Sequence, residues 1–125
     1  SFWQGDACNL KPNFNSYDLI MATNLIDRLY NPKLFLETIH KRLNSDGILM
    51  ITSPYTWQES STQKEMWLGG FVDKNGNEIK TLNTLKKILN ENFELIHLKD
   101  IEFVIKESAR KFQHTIAQCS IWKKR

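Results

Sequence analysis

Two stretches, Leu19-Ile20-Met21-Ala22 and Ile48-Leu49-Met50-Ile51-Thr52, are nearly unbroken apolar runs, the pattern of strands buried on both faces of a parallel sheet. Between them Leu36, Ile39 and Leu43 recur at helical spacing, while Lys33, Glu37, Lys41 and Arg42 take the outward positions. Asn31-Pro32 supplies an N-cap and a first-turn proline, and Asn44-Ser45-Asp46-Gly47 supplies a stop, with glycine suited to a left-handed cap. Strand, helix and strand with short connections predict a βαβ crossover and parallel pairing. Upstream, Phe2-Trp3-Gln4 reads as the end of another strand, followed by a turn at Gly5-Asp6-Ala7.

Downstream, Thr62-x-x-Glu65 fits a capping box and Asn75-Gly76 a two-residue hairpin turn. Leu82, Leu85 and Leu89 predict a helix from Thr81 to Asn90. Phe93 to Leu98 reads as a third strand, with Ile101 to Ile105 as an extended approach to a polar loop, Lys106 to Lys111. His114 to Trp122 has strand composition and is expected to return antiparallel to the third strand. No linker or internal repeat divides the chain.

The first apolar run stops at Thr23-Asn24 and the second at Ser53-Pro54-Tyr55. In open α/β sheets ligands bind beyond the carboxyl ends of such strands. Asn24, Asp27 and Arg28 are therefore expected at the rim of a crevice, unless they only cap a turn. Asp6 can accept hydrogen bonds from an exocyclic amine while the Ala7 amide meets a ring nitrogen; the same aspartate suits an Asx-turn. Trp57 and Trp67 can wall a pocket or pack a core. Arg110 can hold a carboxylate or pair with Glu107, and His114 can move a proton or serve structure alone.

The chain has 125 residues, a net charge of +3 and 41% hydrophobic residues, which fits one globular domain. The charge is too small to imply nucleic acid, and the terminal Lys123-Lys124-Arg125 reads as a solvated tail. Cys8 and Cys119 have no C-x-x-C partner, so no metal site is expected and a reduced, cytoplasmic setting is. No apolar run reaches the roughly 18–20 residues of a membrane span.

Together these residues resemble the carboxyl-terminal half of a class I S-adenosylmethionine-dependent methyltransferase. Phe2-Trp3-Gln4-Gly5-Asp6-Ala7 is similar to the segment whose acidic residue contacts adenine, Tyr17 to Asn24 to the fourth strand, and Leu43 to Leu49 to the turn into the fifth. A closer likeness covers Asn24 to Leu29, Thr52 to Trp57, Trp67 to Phe71 and Ala109 to His114. These resemble the 4-mercaptohistidine N1-methyltransferase domain at the carboxyl end of ovothiol-biosynthesis proteins. Ser53-Pro54-Tyr55 is also similar to the (Asp/Asn/Ser)-Pro-Pro-Tyr motif of nucleic-acid methylating enzymes. It lacks the second proline and follows the wrong strand, so no nucleic-acid partner is expected.

The resemblance implies a Rossmann-like α/β fold, the carboxyl-terminal part of a mostly parallel sheet with a terminal antiparallel strand. It implies S-adenosylmethionine as cofactor, held by Asp6, Ala7, Asn24 and Leu25, and a small thiol-histidine as methyl acceptor. Asn24, Asp27, Tyr55 and His114 are the candidate catalytic residues; Arg28, Trp57, Trp67 and Arg110 are the candidates for binding substrate. The family's glycine-rich cofactor loop and the acidic residue that holds the ribose have no counterpart here. Residues 1–125 are thus expected to be a partial domain, the family's third to seventh strands, inactive by itself. The competing expectation is a non-catalytic, partner-binding module of the same fold. In the family's sheet two further strands separate those at Phe2 and Tyr17. Without them one edge of the central strand is unpaired, which predicts self-association or membership of a larger protein.

Overall fold

A computed structural model describes residues 1–125. It contains a four-stranded sheet with two helices, and a small two-stranded sheet beside them. The chain reaches its first strand, β1 (Tyr17–Thr23), through an irregular segment. Helix α1 (Pro32–Thr38) follows, capped by Asn31, whose side-chain oxygen accepts from the Leu34 N–H at 3.2 Å. A 3-10 turn, Ile39–Arg42, leads into β2 (Leu43–Ser53). Strands β1 and β2 pair in parallel, as the crossover pattern predicts. Next come β3 (Phe71–Val72), β4 (Glu78–Ile79), α2 (Thr81–Leu89), β5 (Phe93–Ser108) and β6 (Lys111–Lys124).

The order of the large sheet is β1-β2-β6-β5. Strand β6 lies between β2 and β5 and runs antiparallel to both, so only the β1–β2 pairing is parallel. Two of the three pairings are antiparallel, so the sheet is mixed; β1, β2 and β5 share one direction and the terminal β6 alone opposes them. The antiparallel return of the last strand on the one before it does form.

Several local expectations also change. Residues Phe2 to Gln4 form no strand, since nothing pairs with them; Phe2 and Trp3 are exposed, and Trp3 meets Phe14 with ring centroids 6.5 Å apart. Asn44 to Gly47 do not stop α1, which already ends at Thr38, but lie in the first part of β2. Asp46, not Gly47, takes the left-handed conformation, at φ 62°. Gly47 is needed for space, because a Cβ there would lie 2.9 Å from the Asn44 carbonyl oxygen. The capping box at Thr62 opens no helix beyond a 3-10 turn, Lys64–Met66, and the Thr62 hydroxyl donates to the Leu29 carbonyl instead. At Asn75-Gly76 the hairpin forms with a wider turn, because the Asp73 carboxylate accepts from the N–H groups of both Asn75 and Asn77 at 2.9 Å. The polar loop from Lys106 to Lys111 shrinks to Ala109-Arg110, since cross-strand pairing continues out to Ser108 and Lys111.

The core lies between the sheet and the two helices, built from Ile26, Phe35, Leu36, Leu49, Ile51, Leu85, Leu89, Phe93 and Trp122 among others. The opposite face of β1 is uncovered: Leu19 and Met21 are 54% and 57% exposed. They sit beside half-buried Ile48 and Met50 of β2. The far edge of β1 pairs with no strand. No helix is long and apolar enough to cross a membrane.

Candidate active site

The carboxyl ends of β1 and β2 are tied together at one point. Asn24 turns left-handed, at φ 50°, so that its N–H donates to the Thr52 carbonyl at 2.7 Å. The Thr52 hydroxyl returns a bond to the Asn24 side-chain oxygen at 3.2 Å. Asparagine tolerates this conformation better than most residues, which is the local reason for its place at the strand end.

A 3-10 turn, Ile26–Arg28, then turns Asp27 inward. Asp27 is only 1% exposed, and its Oδ2 accepts from the Thr56 N–H at 2.9 Å. Neither carboxylate oxygen has a cationic partner. The guanidinium of neighbouring Arg28 donates instead to the carbonyl of Thr56 at 3.0 Å. The turn after β1 and the loop after β2 are thereby locked edge to edge. Arg28 is exposed, leaving the rest of its donor fork facing solvent.

The β5–β6 hairpin completes the enclosure. Strand β2 stops pairing at Ser53, opposite Gln118, whereas β6 begins seven positions earlier in the chain at Lys111. That excess length overhangs the carboxyl rim. Phe103 faces Thr115 and Ile105 faces Gln113 across the hairpin, and these four close a cleft of about 270 Å³ over Asn24, Asp27, Arg28 and Thr56.

A second cavity, about 320 Å³ and mostly apolar, lies on the other side of the Asn24–Leu25 junction. Ala7 and Leu25 form its end at the rim, and the rest follows β1 past Met21 and Ile20 to Tyr17. Asp6 is not one of its lining residues. One oxygen of Asp6 accepts from the Cys8 N–H at 2.9 Å, an Asx-turn, and the other from the Tyr30 hydroxyl at 2.7 Å. That hydrogen bond to the Asp6 carboxylate is the main reason the Tyr30 phenol is pushed up to about 12.

Asn24, Asp27 and Arg28 thus gather in one cleft, and Ala7 and Leu25 in the adjoining cavity. The remaining candidates stand apart. Tyr55 faces away from the cleft and donates to the Gln118 side chain at 2.7 Å; burial pushes its phenol upward, so it stays protonated and is no base at neutral pH. Trp57 packs in the core, with its indole N–H on the Thr81 hydroxyl at 3.0 Å. Trp67 is half-buried and donates to the Thr62 carbonyl at 2.9 Å, at a surface recess shared with Lys64 and Phe71. His114 lies on the outer face of the hairpin, 3.2 Å from Glu102. Arg110 occupies the exposed tip, where Lys111, rather than Arg110, pairs with Glu107. Sequence reasoning missed Gln58, Phe103, Ile105, Gln113 and Thr115 as cleft residues. The signal that could have found the last four is the alternation of residues along one uninterrupted hairpin; Gln58, in the loop after β2, carries none.

The family profile of the methyltransferase domain matches residues 1–120. The chain belongs to that family. No curated protein matches it significantly. Among solved structures it is similar to a SAM-dependent methyltransferase from Methanosarcina mazei, with TM-score 0.61 and 15% identity over 96% of this chain and 65% of that one. It is also similar to the N-methyltransferase NodS from Bradyrhizobium japonicum in complex with S-adenosyl-l-homocysteine, with TM-score 0.54 and 14% identity over 96% of this chain and 52% of NodS. A third likeness is to a structure concerned with converting a disulfide bond into a thioacetal group during echinomycin biosynthesis, with TM-score 0.64 and 10% identity over 96% of this chain and 54% of the other. The methyltransferase-domain chain therefore spans about half to two thirds of the length of these structures, and at such identities the likeness speaks for the fold alone.

Proposed function

We propose that this domain provides the acceptor side of an S-adenosylmethionine-dependent N-methyltransferase acting on a small thiol-histidine. The observation that carries the reading is Asp27: a buried carboxylate, held by one backbone N–H and lacking a cation, at the wall of the cleft. A carboxylate so placed favours a ligand that brings an ammonium or an N–H group. Exposed Arg28 is suited to the opposite end of an amino acid, the carboxylate, through its unused donors.

The residues present fit the adenine end of the cofactor. Ala7 and Leu25 offer small apolar walls at the rim, whereas Asp6, bonded to the Cys8 N–H and the Tyr30 hydroxyl, lies outside that cavity. When bound, the cofactor supplies an electrophilic methyl group. This chain orients the acceptor: Asn24, fixed by Thr52, and Asp27, fixed by Thr56, are placed to hold the ring, with the Asp27 carboxylate accepting from one ring N–H so that the lone pair of the other nitrogen is aimed at the methyl group. The apolar trough along Tyr17, Ile20 and Met21 suits another strand better than a nucleotide. We assign it, with the free edge of β1, to pairing with further chain, either in a larger protein or in a second copy.

The test is made on the native full-length protein. S-adenosylhomocysteine is expected to raise its melting temperature saturably, about 2.7 kcal/mol of stabilisation at a hundred times Kd. Asp27→Asn is expected to keep that rise and to lower kcat/KM for 4-mercaptohistidine by at least about tenfold, as losing a charge-assisted hydrogen bond does. Methyl transfer at the parental rate in Asp27→Asn, or no response to S-adenosylhomocysteine, would refute the reading.

A further inference from the structure

Strands β5 and β6 are longer than the sheet needs. Beyond Gln118 the pairing of β6 is with β5 alone, over Ile101–Ser108 and Lys111–Ala117. At the usual rise per residue this arm reaches about 20 Å past the end of β2. A two-stranded ribbon is marginal by itself, and its two faces differ. Glu102, Val104, Phe112, His114 and Ile116 share the outer face, where the Glu102–His114 pair is between exposed side chains and Val104, Phe112 and Ile116 are each more than half exposed. Phe103, Ile105, Gln113 and Thr115 form the inner face, over Asp27 and Arg28.

We propose that this inner face is the acceptor-specificity wall, with Phe103 and Gln113 as the specificity-determining residues. The inference rests on the methyltransferase reading above and names the ligand class: a small amino acid carrying a flat nitrogen heterocycle. The cleft of about 270 Å³ is of the size that takes a small molecule. Phe103 offers a ring face for stacking. Gln113 has both a donor and an acceptor, so it can meet either nitrogen of a heterocycle. Asp27 takes the ammonium or N–H group, and Arg28, at the mouth, takes the carboxylate. The four contacts come from three separate parts of the chain, the turn after β1 and both strands of the arm, so only a ligand that reaches all of them is well held.

The experiment uses the native full-length protein saturated with S-adenosylhomocysteine. L-histidine, 4-mercaptohistidine and histamine, which lacks the carboxylate, serve as calorimetric probes. Phe103→Ala and Gln113→Ala are compared with the outer-face control Val104→Ala. The amino acids are expected to bind more tightly than histamine, and each inner-face substitution to weaken them by about tenfold, the scale of one lost stacking or hydrogen-bond contact. S-adenosylhomocysteine affinity and the Val104→Ala variant are expected to match the parent. Inner-face variants that bind like the outer-face control overturn the wall, as does failure of all three probes to bind. If the probes bind in the expected pattern but methyl transfer from S-adenosylmethionine is absent, the wall stands and the N-methyltransferase reading falls. Transfer with parental KM in both inner-face variants does the reverse.

Discussion

Replacing Gly69 with alanine tests the packing beneath the cleft. A Cβ at Gly69 would lie 2.4 Å from both the Thr81 nitrogen and its hydroxyl oxygen, and 2.7 Å from its Cα. The nitrogen and Cα are backbone atoms at the start of α2, so no side-chain rotation relieves them. Thr81 would have to retreat by about 1 Å to reach ordinary contact. It cannot do so freely, since it is 4% exposed and its helix is anchored by fully buried Leu85 and Leu89. Overpacking of this kind costs about 1–3 kcal/mol. The retreat also breaks the buried bond from the Trp57 indole to the Thr81 hydroxyl, worth about 1 kcal/mol. Lower backbone entropy in the unfolded chain returns about 0.4–1 kcal/mol. The net loss is about 1–4 kcal/mol, a fall in melting temperature of about 4–14 °C for a domain of this size.

The assay is thermal unfolding followed by far-UV circular dichroism and tryptophan fluorescence, with Gly76→Ala as the reference. Gly76, unlike Gly69, takes a positive φ, 81°, but a Cβ there meets nothing within 4 Å. Its cost is the backbone term alone, about 1 kcal/mol. A Gly69→Ala protein no less stable than Gly76→Ala would refute the docking of α2 against Gly69. The effect should reach the site as well. Trp57 lies between Thr56 and Gln58, both lining the cleft, so the folded fraction of Gly69→Ala is expected to show a raised acceptor KM.

Tyr55→Phe removes the hydroxyl bond to Gln118 and is expected to cost about 1 kcal/mol in urea unfolding, while the pH profile of methyl transfer stays unchanged; a shifted profile would restore Tyr55 as a proton carrier. Tyr30 is expected to titrate near 12 rather than 10 when followed by phenolate absorbance, and in Asp6→Asn to fall back towards 10. Because the folded state raises this pKa, the Asp6–Tyr30 contact stabilises the fold fully below about pH 10 and is lost as pH rises through 12. A titration near 10 in the parent would rule the contact out.

Local rules made much of this protein legible in its sequence. Asn31-Pro32 starts α1, Leu82, Leu85 and Leu89 mark α2, and the two apolar runs make β1 and β2, because caps, periodicity and apolar strand-forming runs act within a few residues; burial on both faces, which the runs also suggested, is not met in β1, where Leu19 and Met21 are more than half exposed. Residues just after a strand end are necessarily at the rim, so Asn24, Asp27 and Arg28 were readable as a group. The rest depended on partners distant in the chain. Phe2 to Gln4 has strand composition but no neighbour to bond, and Thr62 has a capping partner but a stronger claim from Leu29. Trp57, Trp67, Tyr55 and His114 are residue types that serve chemistry or packing equally well. Thr81, Thr62, Gln118 and Glu102 respectively decide their roles here. The sheet order and the overhanging arm belong to the same class. Cross-strand hydrogen bonds between residues such as Phe103 and Thr115 reward extension of β5 and β6 past a stretch whose polarity reads as a loop. Only that pairing brings Phe103 and Gln113 over Asp27, and with them the wall of the cleft.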